Sequence, residues 1–320
     1  MDPGIALQAV VSGLAQGAVY GLVGLGFTLV YRLTRVLSLA HGDLVVGAVF
    51  IGLLLTVGTT PVVATPSVPL AIAQVLAVLA AGVAVSVGLY VVAVRPFLPR
   101  DGSAGRGSVG VPGWVGGTLA VGLLLRESLG VVLTRETYAV ADPLRLDRLD
   151  GGDGIVALPG GGTVGVRLFG VLVLGLALGI AVDRLVVASR VGTAIRAVSE
   201  DRETASLMGI PTERVVIIAF ALSGLLAGAA GILAAPGGRL TLAGGVVLGL
   251  KGTAAALLGR LGSLRGALGG GLVLGVFEAL AVASELFGPA YADVFALAVL
   301  VGVLALRPEG LRAQAQVPAE

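Results

Sequence analysis

The sequence predicts an all-α fold, a polytopic transmembrane helical bundle of about eight or nine spans with re-entrant segments among them. Three observations predict it. The 320 residues are 56% hydrophobic and only 12% charged, whereas soluble domains carry about 25% charged residues. The mean hydropathy is +1.02, and the apolar residues fall in runs near the roughly 20 residues that cross a bilayer. The runs also lack the ~10-residue alternation of a membrane β-barrel.

Taken in order, the candidate spans cover about 5–31, 44–59, 68–94, 112–132, 166–187, 213–235, 242–258, 266–287 and 290–306. MDPGIALQAV opens directly into apolar sequence with no charged region or small-residue cleavage site, so it reads as an uncleaved first helix. The runs at 44–59 and 242–258 are short, which suits broken or re-entrant helices lining a cavity. The segment 133–165 is acid-rich (Glu136, Asp142, Asp147, Asp150, Asp153). Within it LPGGG, between IVAL and TVGVRL, reads as the turn of a small hairpin. The segment 190–212 is hydrophilic. In it Ser199 reads as an N-cap, Gly209 as the C′ residue and Pro211 as a stop, giving a short surface helix over about 200–208.

Arginine sets the expected orientation. Fourteen of the 21 basic residues fall between alternate spans, at Arg32 and Arg35, at Arg95, Arg100 and Arg106, at Arg184, Arg190, Arg196, Arg202 and Arg214, at Arg260 and Arg265, and at Arg307 and Arg312. Placing these inside gives an N-terminus outside, a C-terminus in the cytoplasm and the 133–165 loop outside. Glycine numbers 52. Gly13, Gly17 and Gly21, Gly224 and Gly228, and Gly271 and Gly275 recur every four residues, the spacing that lets membrane helices approach closely.

Several chemistries are excluded. Cysteine is absent and histidine occurs once, which leaves no zinc ligand set. GVVLGLKG lacks the Gly-Lys-Ser/Thr order of a phosphate-binding loop, and no GxSxG or HExxH motif occurs. The formal charge of +2 gives no footprint for nucleic acid. No cofactor is expected in this chain, and no catalytic residue.

The candidate site residues lie in three places. SLAHGD, at 38–43, carries the single histidine between two apolar runs. Two readings stand for Ser38, His41, Gly42 and Asp43. In one, Asp43 caps the second span and His41 bonds a backbone carbonyl. In the other, the hexapeptide lines or gates a pathway. Lys251 and Glu278 sit inside spans, where an ionisable group faces the bundle interior or a cavity and pairs; a Lys251–Glu278 pair follows from their depth. The third place is the 200–209 helix, with Leu207 and Met208 as apolar plugs for a cytosolic partner.

ETASLMG matches the form of the E-A-A-x-x-x-G loop of ABC importer permeases. The longer string GTAIRAVSEDRETASLMGIPTERVVIIAFALSGLLAGAAGIL resembles permeases of branched-chain amino-acid ABC transporters. GLAQGAVYGLVGLGFTLVYRL…AHGD, VRPF, GLKGTAAALLGRLGSLRGALGGGLVLG and RPEGL resemble further elements of that family, in order over nearly the whole chain, closest to the H-type subunit. Ser38 and Leu39 stand where the family usually has Asn and Phe, and Arg260 where it has Gly. The resemblance implies one permease domain over 1–320, in the inner membrane of a bacterium. It implies a transport subunit rather than an enzyme, with Arg196, Glu203, Thr204, Ala205, Leu207, Met208 and Gly209 coupling it to ATPases. The implied partners are a homologous second permease, two cytosolic ABC ATPases, an extracytoplasmic solute-binding protein and the lipid bilayer. The implied cargo is branched-chain amino acids. The alternatives are urea, short-chain amides or other amino acids on the same scaffold, a passive channel, and an intramembrane enzyme using His41 and Asp43.

Overall fold

The structure is a computed structural model. It describes residues 3–36, 38, 40–58, 66–97, 113–133, 137–146, 154–159, 161–237, 239–284, 293–294, 297–299 and 301–302. Ten helices occur among them: α1 (Pro3–Thr34), α2 (His41–Val57), α3 (Val68–Leu89), α4 (Gly113–Val132), α5 (Val166–Ala188), α6 (Arg190–Glu200), α7 (Arg202–Leu207), α8 (Thr212–Ala234), α9 (Gly244–Leu258) and α10 (Leu264–Ala283). Six are long and apolar enough to cross a membrane, and α2 and α9 are shorter apolar helices. At 1.5 Å per residue, α2 and α9 reach about 25 and 22 Å, short of a hydrocarbon core of about 30 Å. The predicted span at 290–306 lies mostly outside the described residues.

Local chemistry accounts for the breaks. α3 runs on through a π turn at Tyr90–Val94 and a 3₁₀ turn at Arg95–Phe97. Pro96 has no N–H to give and its ring presses on the carbonyl four residues back, so the turn before it widens. α1 stops at Thr34, after which Arg35 takes a left-handed φ of 54° while its N–H donates to the Tyr31 carbonyl at 2.8 Å. The chain then turns back into the bundle, and Val36, Ser38 and Ala40 are all buried.

The spine is the antiparallel pair α1 and α10. A Cβ built on Gly17 would stand 2.6 Å from the Gly271 carbonyl oxygen, and one on Gly13 2.7 Å from that of Gly275. The four-residue glycine repeats therefore face each other, as their spacing predicts. α3 meets α8 through Gly82 and Gly224.

The bundle has two distinct ends. At one, β1 (Thr137–Ala139) pairs antiparallel with β4 (Arg239–Thr241), and β2 (Ile155–Ala157) with β3 (Thr163–Gly165). The second pair is the predicted hairpin; the first joins segments a hundred residues apart and was not legible in the sequence. Gly162 abuts Gly4 there, so the start of α1 lies at this end. Arg167 bonds Asp142 at 3.2 Å and the Leu233 carbonyl at 2.6 Å. The other end carries α6, α7, the Arg95–Glu213 ion pair at 2.7 Å and the Arg265–Asp183 pair at 2.7 Å.

Candidate functional site

The 38–43 break sits inside the core. α2 begins at His41 with Ala40 as N-cap and no side-chain cap bond. The reading of Asp43 as a cap is therefore corrected: Asp43 is the third helical residue, placed to favour the helix dipole by charge alone. Its carboxylate occupies space left by two glycines, since a Cβ on Gly122 would stand 2.9 Å from Oδ2 and one on Gly245 3.2 Å from Oδ1. The His41 ring lies edge-on to Phe27 at 6.3 Å, interacts with the Val23 backbone and overlies Gly26. His41 Nε2, Asp43 Oδ1, Ser38 Oγ, Thr28 Oγ1 and Ser223 Oγ are buried with no hydrogen-bond partner. Each such atom costs about 1–3 kcal/mol, and three of them, on Ser38, His41 and Asp43, fall within the break itself, which makes it the candidate site.

A second half-helix start meets the first. Gly42 lies against Gly245 and Gly249, with the Gly249 Cα 2.7 Å from where a Gly42 Cβ would be. The N-terminal turns of α2 and α9 thus abut in the bundle interior. Interrupted helices meeting in this way are how membrane transporters build polar sites in lipid.

The predicted Lys251–Glu278 contact forms. Lys251 Nζ donates to Glu278 Oε1 at 2.8 Å. Sequence reasoning missed two participants. The Tyr20 hydroxyl donates to the same Glu278 oxygen at 3.2 Å and accepts from Lys251 at 3.3 Å. Asp293 Oδ1 lies 2.9 Å from the ammonium. Tyr20 carried a readable signal, because it ends a polar series at every fourth residue of the first span: Gln8, Ser12, Gln16, Tyr20. These groups do not join the 38–43 cluster; α9 touches both with different residues.

The third place holds two helices where one was predicted. α6 is capped by Ser189, whose Oγ accepts the Gly192 N–H. Ser199 is not a cap but lies within α6, its hydroxyl donating to the Arg196 carbonyl at 2.8 Å. The cap of α7 is Asp201, in extended backbone that a carboxylate favours at this position. Asp201 Oδ1 accepts from the Glu203 and Thr204 amides at 2.9 and 3.1 Å, and Oδ2 from the Thr204 hydroxyl at 2.5 Å. These bonds, the Thr204 hydroxyl first, hold the Asp201 carboxyl below the usual aspartate range. Gly209 ends α7 at φ +81°. Its N–H donates to Ser206 and that of Ile210 to Ala205, the paired bonds of a Schellman close. Ala205 is buried, while Leu207 and Met208 are 81% and 78% exposed. Arg196 instead folds back, donating to the Val186 and Val187 carbonyls at 3.2 and 3.0 Å and so closing the end of α5.

An all-helical membrane bundle with interrupted helices, a buried charge cluster and a capped surface helix at one end has the features of a multi-pass transport protein. Residues 9–304 match the family model described as branched-chain amino acid transport system / permease component, and the chain belongs to that family. It is 28% identical to the high-affinity branched-chain amino acid transport system permease protein BraD of Pseudomonas aeruginosa, over 97% of each chain. It is 29% identical to LivH of Salmonella typhimurium and 28% to LivH of Escherichia coli, in both cases over 97% of this chain and 96% of the relative. Among solved structures, PsaBC from Streptococcus pneumoniae in complex with Fab has a TM-score of 0.47 at 13% identity, covering 93% of this chain and 90% of that one. Membership of a permease family means a subunit of a transporter complex, and it disfavours the intramembrane-enzyme reading of His41 and Asp43.

Proposed function

We propose that this chain is one permease of an ATP-driven importer of branched-chain amino acids. It forms the pathway with a homologous second permease, receives solute from an extracytoplasmic binding protein and is driven by two cytosolic ATPases. The relatives' substrate and the match over nearly the whole chain support the cargo. The observation that carries the mechanism is the α7 corner. Two large apolar side chains, Leu207 and Met208, stand exposed on a helix closed at both ends by side-chain and backbone bonds. Exposed apolar residues on a rigid support mark a docking site. This end is opposite the start of α1, which fits an N-terminus outside and α7 in the cytoplasm.

Glu203, Thr204, Ala205 and Gly209 act here as the frame, and Arg196 fixes the frame to α5. Ser38, His41, Gly42 and Asp43 form the gate, where the two half-helices meet and polar atoms await partners. Co-expression with the cognate ATPases tests both statements. Leu207→Glu with Met208→Glu is expected to lose ATPase co-purification while the permease still inserts. His41→Ala is expected to assemble fully yet lose uptake. Retained ATPase binding by the first variant, or wild-type uptake by the second, contradicts the proposal.

A further inference from the structure

A cleft of about 440 Å³ lies along the groove where the first half of α1 meets the last half of α10, lined by Gln8, Ser12, Gln16 and Glu278 on its polar side and by apolar residues such as Ile5 and Val282. Its volume lies in the range of small-molecule sites, about 300–1,000 Å³. Three features set it apart from a lipid-facing groove. First, Gln8, Ser12 and Gln16 recur every four residues and so share one face of α1, and polar side chains within a span face a cavity rather than lipid. Second, that row leads to Tyr20 and thus to the Lys251–Glu278 pair. Third, Glu278 is 91% buried, by its 9% exposure, and its Oε2 has no hydrogen-bond partner. Two carboxylates, Glu278 and Asp293, share the single ammonium of Lys251. The cluster therefore carries one negative charge more than it neutralises, at the wall of a cavity.

We propose that this cleft binds the α-ammonium end of an aliphatic amino acid, with Glu278 as the anionic acceptor, Gln16 and Ser12 as polar contacts and the Ile5–Val282 side receiving the hydrocarbon side chain. The proposal rests on the importer reading and names where the substrate meets this chain. The same chemistry excludes the deaminated acid and the N-acylated amino acid, which offer the carboxylate and side chain without the cation. Glu278 acts as a binding residue through its place in the cleft wall, while Lys251 and Tyr20 are positioning residues that hold its Oε1.

The absence of cysteine from the chain permits a direct test in the assembled transporter, reconstituted in nanodiscs. A Ser12→Cys variant is treated with a cationic and with an anionic methanethiosulfonate, and modification of this chain is read by peptide mass spectrometry. The cationic reagent is expected to react at least tenfold faster than the anionic one. L-leucine is expected to slow it at least fivefold, and N-acetyl-leucine and isocaproate are expected not to. Adding Glu278→Gln is expected to abolish both the charge preference and the leucine protection without blocking reaction at position 12. A purely structural role for Glu278 would leave the leucine protection unchanged. Leucine uptake by the wild-type assembly without protection at position 12 overturns the cleft and leaves the importer reading standing. A thiol that reacts in the isolated chain but not in the assembly shows that a second subunit covers this face, and overturns it likewise. No leucine uptake by the wild-type assembly overturns the importer reading itself.

Discussion

Replacing Gly17 by alanine tests the claim that glycine, not side-chain interlocking, holds α1 to α10. The new Cβ would sit 2.6 Å from the Gly271 carbonyl oxygen and 2.8 Å from the Leu272 Cα, where ordinary contact begins at 3.4 Å. The shortfall is about 0.8 Å against backbone, which no rotamer change relieves. Overpacking of this kind costs about 1–3 kcal/mol. Alanine regains about 0.5–1 kcal/mol of helix propensity over glycine, so the net loss is about 0–2.5 kcal/mol and centres on about 1 kcal/mol, roughly a fivefold change in the folded-to-unfolded ratio. Gly269→Ala is the matched control. It lies on the same α10, exposed, with nothing within 4 Å of the added carbon, so it keeps the propensity gain alone. Apparent melting of the purified protein in one detergent should rank Gly269→Ala above wild type and Gly17→Ala below it. A Gly17→Ala protein that melts at or above the Gly269→Ala control refutes the close-contact argument.

The buried pair predicts a double-mutant cycle. Lys251→Met leaves the Glu278 charge without its partner and should cost about 3–5 kcal/mol, and adding Glu278→Leu should restore most of the loss; strict additivity in melting measurements would deny the coupling. At α7, the depressed Asp201 pKa makes the cap most effective above the ordinary aspartate value and removes it as pH falls through the lowered one. Hydrogen exchange at the Glu203 and Thr204 amides should accelerate in that acid window in wild type, whereas an Asp201→Asn variant should show no such step. Arg260 holds a left-handed φ of 68° in the turn between α9 and α10, a conformation costing a non-glycine residue about 1–2 kcal/mol. Arg260→Gly should raise the melting temperature, and an unchanged or lowered value would mean that the arginine's charge at the end of α9 outweighs the strain.

What the sequence made legible follows from range. Hydrophobic runs, the LPGGG hairpin and the Gly209 close of α7 depend on residues within a turn or two of each other, and each was readable. Ser199 and Asp201 are both competent caps two residues apart, and only the break between α6 and α7 decides between them. Asp43 looked like a cap because it precedes an apolar run, yet α2 begins two residues earlier, at His41. Its true neighbours, Gly122 and Gly245, lie on other helices. The β1–β4 pairing and the Asp293 contact are likewise tertiary facts with no local trace. Arg260 is the instructive middle case. As a departure from the family's glycine it was visible in the sequence, and its φ supplies the physical reason a glycine belongs there.

The two polar clusters solve the same difficulty in opposite ways. In lipid an unsatisfied polar group has no water to turn to, so membrane bundles pair such groups or place them along a cavity. The Lys251 cluster is nearly closed: one ammonium, one phenol and two carboxylates satisfy each other, and a single oxygen, Glu278 Oε2, is left over beside a cleft. The 38–43 cluster is open: Ser38 Oγ, His41 Nε2 and Asp43 Oδ1 are buried without partners where α2 begins. Each buried polar atom without a partner costs about 1–3 kcal/mol, so the two clusters differ in how much polar satisfaction packing alone supplies. α9 connects the two regions, with Gly245 and Gly249 against Gly42 and Lys251 half a turn further on. Movement of α9 along its axis would therefore change the 38–43 cluster and the charge cluster together. In the importer proposed above, that coupling through one short helix gives solute at one end and ATPases at the other a route to the same interior.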